Sequence, residues 1–204
     1  IGFTNERRQW MIAGETVVFG LLQLVCVGAL FVLARRNAEA KLGLERLLRV
    51  FAQLPGVDLV CMGSGPLEPA VQAAAAGHPN IHFVPAVPPH EVLQYTRAAD
   101  VGLCLTANCC LSYYFSLPNK MFEYLHAGLP VIVTPLLDQR RLVESYGCGW
   151  VASEDDEALA ALVRSIDPAQ IRQVQSAVDR AAAELNWDNE KARLIRAYRD
   201  HGFA

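Results

Sequence analysis

Apolar runs and amphipathic segments alternate along most of the chain, and this alternation predicts strands separated by helices. Between Leu44 and Leu54 the apolar residues recur every three or four positions, which is typical of a helix with one buried face. Pro55 and Gly56 end that helix, and the run VDLVCMG that follows has the composition of a buried strand. The same reasoning predicts strands over residues 25–33, 57–63, 81–87, 101–106, 130–135 and 149–153, helices over residues 42–54, 67–76, 90–99, 120–127, 140–146, 168–185 and 189–199, and a long loop over residues 107–117.

Strands separated by helices of this length predict an α/β fold with a doubly wound parallel sheet, which is Rossmann-like. Such sheets bind ligands outside the carboxyl ends of their strands. The loops that follow residues 33, 62, 84, 106 and 134 should therefore share one edge of the sheet. Residues 25–204 are assigned to this domain with its C-terminal helices, and residues 1–24 to an N-terminal segment or linker.

One apolar segment allows two interpretations. No charged residue occurs from Thr16 to Ala34, so the segment is long enough to span a bilayer, and Arg35 with Arg36 would flank it. The alternative is a buried strand with its approach, because strands covered on both faces also form continuous apolar runs. The strands and helices that follow favour the strand. The sequence therefore predicts a cytoplasmic protein, and association with the inner face of a membrane stays open.

Composition and charge exclude several classes of function. The 204 residues are 52% hydrophobic and 19% charged, and the formal net charge of -3 offers no electrostatic surface for nucleic acid. The six cysteines form neither a C-x-x-C motif nor a disulfide framework, and the histidines share no metal-ligand spacing. We therefore expect reduced, structural thiols in a reducing compartment, and no metal site.

The segment FSLPNKMFEYLHAGLPVIVT places a lysine where helices normally carry acidic residues. Asn119 is predicted to cap a helix that Gly128 ends, which puts Lys120 in the first turn. The dipole and free amides of a first turn form an anion site, and Lys120 would complete it for a phosphate group. Glu123 lies one turn further on the same face, where its carboxylate suits the two hydroxyl groups of a ribose. Together these groups suit a nucleotide diphosphate, and the alternative is an ordinary surface ion pair.

Five stretches of the chain, in this order, resemble the retaining GT-B glycosyltransferases of family 4, the glycosyl transferases group 1. They are VCMGSGPL, IHFVPAVPPHEVLQYTRAADVGL, PNKMFEYLHAGLPVIVT, YGCGWV and NWDNEKARLIRAYR, and the resemblance covers residues 25–198. It implies the C-terminal, donor-binding half of a GT-B fold, in which the last helix crosses back to a preceding acceptor domain. It also implies that Glu123 holds the ribose of the donor and that Lys120 faces the diphosphate. Ser116 and Asn119 would line the same turn.

Two departures from the family pattern leave parts of this donor site open. Phe115 stands where the family more often has a glutamate that faces the donor sugar. For the arginine and lysine that the family carries in its first loop, the candidates are Arg35, Arg36 and Lys41, and a solvated charged loop is the alternative. Lesser donor-binding roles are assigned to Gly63 and Gly65, with turn glycines as the alternative, and to Val84 and Pro85.

The resemblance therefore implies a hexosyltransferase that moves a sugar from a nucleotide diphosphate sugar to an acceptor with retention, with Lys120 and Glu123 as its catalytic groups. Neither a metal nor another cofactor is expected, because the chain has no D-x-D motif and the nucleotide sugar is a co-substrate. The acceptor is a glycan, a lipid-linked molecule or a small molecule, and we expect its domain to be missing from this chain. The alternatives are a non-catalytic nucleotide-sugar-binding subunit or interaction module that needs a partner chain and, more weakly, a GT-B epimerase.

Overall fold

A computed structural model describes residues 22–26 and 38–201 of the chain. In this part of the chain six strands form one sheet in which every adjacent pair is parallel. The strands are β1 (Leu22–Cys26), β2 (Val57–Met62), β3 (Ile81–Val84), β4 (Val101–Cys104), β5 (Val131–Val133) and β6 (Gly149–Val151). The helices are α1 (Ala38–Phe51), α2 (Glu68–Gly77), α3 (Val92–Thr96), α4 (Leu111–Tyr114), α5 (Asn119–His126), α6 (Leu137–Tyr146), α7 (Asp156–Ser165), α8 (Pro168–Glu184) and α9 (Trp187–Asp200).

The strand order is β3-β2-β1-β4-β5-β6, so the chain builds outward from β1 on one side and then on the other. This is a doubly wound parallel sheet, and the predicted α/β fold class is confirmed. The direction of winding reverses between β1 and β4. Open α/β sheets bind ligands at that point, outside the carboxyl ends of the strands. The chain that leaves β4 there leads through α4 to α5.

The sheet has a hydrophobic core on each face because its strands carry apolar residues at successive positions. In β2, Leu59 and Cys61 belong to the core that includes α1 and α7, whereas Val60 and Met62 belong to the core that includes α5, α6 and α8. Alternate side chains of a strand point to opposite faces, so a strand that is covered twice keeps no polar face. This double covering is why continuous apolar runs predict these strands.

The first strand lies earlier in the chain than the sequence predicts. The prediction covers residues 25–33, whereas β1 covers Leu22–Cys26 and pairs with β2 from Leu22–Val57 to Cys26–Cys61. The apolar run continues on both sides of β1, so hydrophobic periodicity does not mark the ends of this strand. The strand therefore crosses the predicted boundary between the N-terminal segment, residues 1–24, and the domain, residues 25–204. The other residues of the segment 16–34 lie outside the described part of the chain.

Two further findings concern the helices. Neither α4 nor α7 is predicted from the sequence, because four residues are too few to show a helical period and because α7 directly follows a run of acidic residues. That acidic run contained a usable signal, since the side chain of Asp155 caps α7 by accepting a hydrogen bond from the amide of Ala158 (2.8 Å). Of the helices that the structure describes, none combines the length and the apolarity needed to cross a membrane.

Candidate functional site

Helix α5 begins at the carboxyl edge of the sheet, after the chain has left β4. Its N-cap is Pro118, which has an extended backbone (φ −68°, ψ 143°) and no side-chain hydrogen bond to the first amides. Asn119 is the first helical residue, so its predicted role as the cap is wrong: Pro118 already holds the conformation of a cap. Lys120 lies in the first turn, as predicted. Because no side chain caps this turn, its N–H groups favour an anion.

Glu123 lies three residues after Lys120 and is partly buried. Burial raises the pKa of Glu123 above its ordinary value of 4.5, and the charge of Lys120 offsets part of that rise. Among the described residues, no hydrogen bond or ion pair joins these two side chains, so the alternative of a surface ion pair lacks its contact. A partly desolvated carboxylate without a hydrogen-bond donor is unfavourable. Two hydroxyl groups of a ligand would supply such donors.

Lys120 also lies near the buried end of β4. Burial raises the pKa of the Cys104 thiol, and the charge of Lys120 counteracts that rise, which puts the ammonium group within electrostatic range of the strand end. An ammonium group, uncapped helix amides and a carboxylate therefore meet beside the point where the direction of winding reverses. This is the place in an open α/β sheet where ligands bind.

A close contact between α5 and β4 fixes the helix over the sheet. Tyr124 is fully buried, and its hydroxyl group donates a hydrogen bond to the carbonyl oxygen of Leu103 (3.1 Å). The ring lies over Gly102, where an added Cβ would stand 2.2 Å from the Tyr124 Cγ atom. Met121 and Leu125 are also fully buried on this side of the helix. Packing against the sheet thus fixes the inner face of α5. The first turn of the helix lies at the edge of the sheet.

The residues just before α5 include two that the sequence analysis singles out. The Ser116 hydroxyl group donates a hydrogen bond to the carbonyl oxygen of Tyr113 (2.8 Å), so it closes the turn that follows α4. Phe115 is 54% exposed, and its ring packs edge-on against Tyr114 with the ring centroids 5.1 Å apart. An exposed aromatic ring therefore stands at the position where the family pattern has a carboxylate.

Two buried polar residues at this edge, Thr134 and Gln139, are not predicted from the sequence. The Thr134 hydroxyl group donates to the carbonyl oxygen of Thr106 (2.9 Å) and accepts from its amide (3.2 Å), which joins the chain segments that leave β4 and β5. Gln139 is fully buried in the first turn of α6 and donates a hydrogen bond to the carbonyl oxygen of Ser116 (3.3 Å). The sequence offers no sign of this burial, because both neighbours of Gln139 in the chain are charged.

Four of the predicted donor-binding residues lie at the same carboxyl edge of the sheet, but on the other side of β1 from α5. Gly63 and Gly65 follow β2, Val84 ends β3, and Pro85 follows it. The amide of Gly63 donates a hydrogen bond to the carbonyl oxygen of Val84 (3.0 Å), which ties the two loops together. Gly63 has a φ of 143°, a conformation that favours glycine, so its role in the turn already accounts for this residue.

The basic residues predicted for the first loop can be placed only in part. Arg35 and Arg36 lie outside the described residues. Lys41 lies within α1 rather than in a loop, because the helix begins before it. Two residues later, a Cβ added to Gly43 would lie 2.7 Å from the carbonyl oxygen of Leu105. The backbone of α1 therefore passes directly beside the chain that leaves β4.

Three of the described cysteines and one of the described histidines are held inside the fold, whereas Cys109 and Cys110 are exposed. Cys61, Cys104 and Cys148 are buried and free of disulfides, and burial raises the pKa of Cys148 to about 11. The Nε2 atom of His126 donates a hydrogen bond to the carbonyl oxygen of Leu185 (2.8 Å), which joins α5 to the end of α8. Among the described residues, no group of three or more His, Cys, Asp or Glu side chains could hold a metal ion.

Comparison with solved structures gives the same fold in three longer proteins. The chain is 25% identical to sucrose-phosphate synthase from Thermosynechococcus elongatus, with a TM-score of 0.67 over 88% of this chain and 45% of that one. It is 21% identical to WaaG, a glycosyltransferase involved in lipopolysaccharide biosynthesis, with a TM-score of 0.56 over 86% and 46%. It is 14% identical to the pneumococcal O-GlcNAc transferase GtfA, solved in complex with UDP and GlcNAc, with a TM-score of 0.63 over 88% and 35%. The chain thus spans less than half the length of each.

Comparison with sequences gives the family. No curated protein sequence matches the chain. Residues 22–166 match the family model described as Glycosyl transferases group 1, and this range runs from the first residue of β1 to just past the end of α7. It therefore contains the whole described sheet and the Lys120–Glu123 turn. The chain belongs to the glycosyl transferases group 1 family and has the Rossmann-like fold of the GT-B glycosyltransferases.

Proposed function

We propose that the edge formed by β4 and α5 binds the nucleoside diphosphate part of a nucleotide sugar, and that this chain is the donor-binding part of a glycosyltransferase. The observation that carries the proposal is the partly buried carboxylate of Glu123, which has no partner among the described residues. A ribose offers two hydroxyl donors to such a group. A diphosphate needs a cation and amide donors, and Lys120 with the uncapped first turn of α5 supplies both.

The proposed reaction transfers a hexose to an acceptor with retention at the anomeric carbon. Its main demand on the protein is stabilisation of the diphosphate, which gains negative charge as its bond to the sugar breaks. Lys120 and the amides of α5 would face this charge and hold the leaving group in one orientation. Glu123 would anchor the nucleoside end of the same ligand. The proposal assigns no step to a metal or to a further cofactor, because the nucleotide sugar is itself a substrate.

A second domain is proposed to supply the acceptor side of the active site. The chain spans 45%, 46% and 35% of its three structural neighbours. Helix α9 has no buried residue, and its large apolar side chains are 40% to 70% exposed, which is the kind of surface that another domain covers. The acceptor would be a glycan, a lipid-linked molecule or a small molecule. Cytoplasmic location and peripheral membrane association stay predictions. These large apolar residues of α9 are Trp187, Leu194, Ile195 and Tyr198.

Thermal unfolding with added nucleotides tests the binding part of this proposal. A ligand that binds the folded chain alone stabilises it by about 2.7 kcal/mol when its concentration is 100 times the dissociation constant. Uridine diphosphate is expected to raise the melting temperature, and guanosine diphosphate is the second choice. Uridine without phosphates should have a smaller effect. If no nucleoside diphosphate shifts the transition at millimolar concentration, the proposal fails.

A matched pair of lysine variants separates a specific phosphate contact from general attraction of an anion. Lys120→Gln removes the ammonium group that the proposal places at the diphosphate, and Lys191→Gln removes the same charge from the exposed helix α9. Loss of one charge-assisted hydrogen bond corresponds to about a tenfold weaker binding of uridine diphosphate. We expect that loss for Lys120→Gln alone. An equal loss in the two variants would show that only net charge matters.

A further inference from the structure

One glutamine inside the protein connects α6 with the chain that leads to the proposed donor site. Gln139 lies in the first turn of α6, and its side chain has no exposed surface. Glutamine side chains are mostly found at the surface of proteins. Burial of an amide group is costly unless it is hydrogen-bonded, so the partners of this side chain show what it holds in place.

Both hydrogens of the Gln139 amide are directed to the segment between β4 and α5. The Nε2 atom donates to the Oγ1 atom of Thr106 and to the carbonyl oxygen of Ser116, each at 3.3 Å. The side-chain oxygen accepts a weak hydrogen bond from the Sγ atom of Cys104 at 3.9 Å. One side chain therefore contacts the last residue of β4, the residue two positions later, and the residue two positions before the N-cap Pro118.

The two ends of this segment are held by other bonds as well. Thr106 exchanges two hydrogen bonds with the hydroxyl group of Thr134, which fixes it to the chain that follows β5. The hydroxyl group of Ser116 is bonded to the carbonyl oxygen of Tyr113. Gln139 joins these two fixed points, so residues 107–115, which include α4, form a connection whose two ends are bonded to the same amide group.

We infer that Gln139 is a positioning residue of the donor site, an inference that rests on the proposed function of Lys120 and Glu123. Gln139 holds the carbonyl oxygen of Ser116, and Pro118 has a restricted φ, so little freedom remains in the chain before α5 begins. The first turn of the helix is thereby fixed, and Lys120 is presented without an ordering cost when the ligand binds. Gln139 acts through this turn and does not contact the ligand.

The test compares two variants of the full chain by amide hydrogen exchange. Gln139→Met keeps a side chain of similar length and removes the amide group. Val163→Ala is the control, because it opens a cavity in the core that contains α1 and α7 and lowers overall stability, and no residue of the segment 106–118 belongs to that core. In Gln139→Met we expect amides of residues 113–121 to exchange about tenfold faster than in the wild type, a factor that corresponds to 1.4 kcal/mol. Val163→Ala should leave the rates there within about twofold of wild type.

Measuring the affinity of the same proteins for uridine diphosphate tests whether the first turn of α5 belongs to the donor site. We expect Gln139→Met to bind about fivefold more weakly than the wild type, and Val163→Ala to bind as the wild type does. Unchanged exchange in Gln139→Met, or an equal acceleration in Val163→Ala, would overturn the inference. Faster exchange with unchanged affinity would also overturn it. If the wild type binds guanosine diphosphate but not uridine diphosphate, the same comparison is made with guanosine diphosphate. Failure of the wild type to bind any nucleoside diphosphate refutes the proposed function instead, and the exchange rates still show whether Gln139 holds the turn.

Discussion

Lys120 and Glu123 lie three positions apart on one face of α5, yet no hydrogen bond or ion pair joins them within the part of the chain that the structure describes. The charge of Lys120 favours the carboxylate of Glu123, but burial has the larger effect, so the pKa of Glu123 is raised. The folded chain thus keeps a carboxylate in a place where its charge is disfavoured. Side chains that lower stability in this way are typical of binding sites, where the ligand supplies the missing partner.

The first prediction concerns the stability of Glu123→Gln. The pKa of Glu123 in the folded chain lies above its ordinary value of 4.5, so the folded state binds the proton more tightly than the unfolded state does. Wild-type stability therefore falls as the pH rises from 4.5 through the raised pKa. Because the glutamine carries no charge, we expect Glu123→Gln to unfold at a higher temperature than the wild type near pH 7. Near pH 4 the two proteins should unfold at about the same temperature.

Glu144→Gln is the control for this prediction. Glu144 is exposed on α6, and its carboxylate lies 3.7 Å from the Nε atom of Arg140. Loss of such a pair between residues i and i+4 lowers the free energy of unfolding by a few tenths of a kcal/mol. A lower melting temperature for Glu123→Gln near pH 7 would show that Lys120 holds Glu123 as an ordinary surface pair, which contradicts our account.

The second prediction concerns the contact between Gly102 and Tyr124. A Cβ atom at position 102 would lie 2.2 Å from Cγ of the tyrosine ring, so Gly102→Ala must displace α5 or β4. We expect this overpacking to lower the free energy of unfolding by about 1–3 kcal/mol. Because Tyr124→Leu makes room for the added methyl group, the double variant should be less destabilised than the sum of the two single variants. Urea unfolding measures all three free energies, and strict additivity would contradict the contact.

The third prediction concerns an ion-pair network between α1 and α7. Asp156 accepts hydrogen bonds from the Nε atoms of Arg46 and Arg49, both at 2.8 Å. These two bonds hold the pKa of Asp156 below its ordinary value of 3.8. The folded state therefore gains stability from the carboxylate above pH 3.8 and loses it as the pH falls through the lowered pKa. Asp156→Asn should cost about 1 kcal/mol near pH 7, with the difference from wild type shrinking below pH 3.8.

Glu157→Gln provides the comparison for this network. Glu157 lies exposed in the same first turn of α7, so its loss removes the same charge from the same helix end. Its cost should stay within a few tenths of a kcal/mol, which is typical for a charge near a helix dipole. If the asparagine and glutamine variants unfold at the same urea concentration, the two arginine contacts contribute nothing measurable.

The alternation of elements could be predicted because the physical signals are local. Strands such as β2 are covered on both faces and therefore appear as continuous apolar runs, and the helices between them keep a period near 3.6. The ends of the strands and helices were harder to predict. β1 lies inside an uncharged apolar stretch that extends beyond both of its ends, so its bounds depend on pairing with β2, which no local pattern encodes.

The candidate site could be predicted only in part for a related reason. Helical spacing is enough to place Lys120 in a first turn and Glu123 on the same face. The burial of Glu123, and the lack of a contact between these two residues, depend on how α5 packs on β4 through Tyr124 and Gly102. Gln139 is the clearest case, because a glutamine between two charged residues shows no sequence sign of a buried hydrogen-bond donor.

The central claim is that the Glu123 carboxylate accepts hydrogen bonds from both hydroxyl groups of a ribose. Glu123→Ala should then weaken the binding of uridine diphosphate by at least about tenfold, since a single charge-assisted hydrogen bond contributes about 1.5–3 kcal/mol. Loss of the carboxylate should not destabilise the fold near pH 7, because burial disfavours the charge of Glu123 and raises its pKa. Glu144→Ala, which removes an exposed carboxylate from α6, should bind as the wild type does.

The most direct test measures the dissociation constants of uridine diphosphate and 2′-deoxyuridine diphosphate for the wild type and for Glu123→Ala. If Glu123 binds the ribose, the wild type should bind the deoxy ligand more weakly than the ribose ligand. The variant should bind the two ligands about equally, because the group that distinguishes them is gone. Equal discrimination against the deoxy ligand by wild type and variant would contradict the account, since the 2′-hydroxyl group would then be recognised elsewhere.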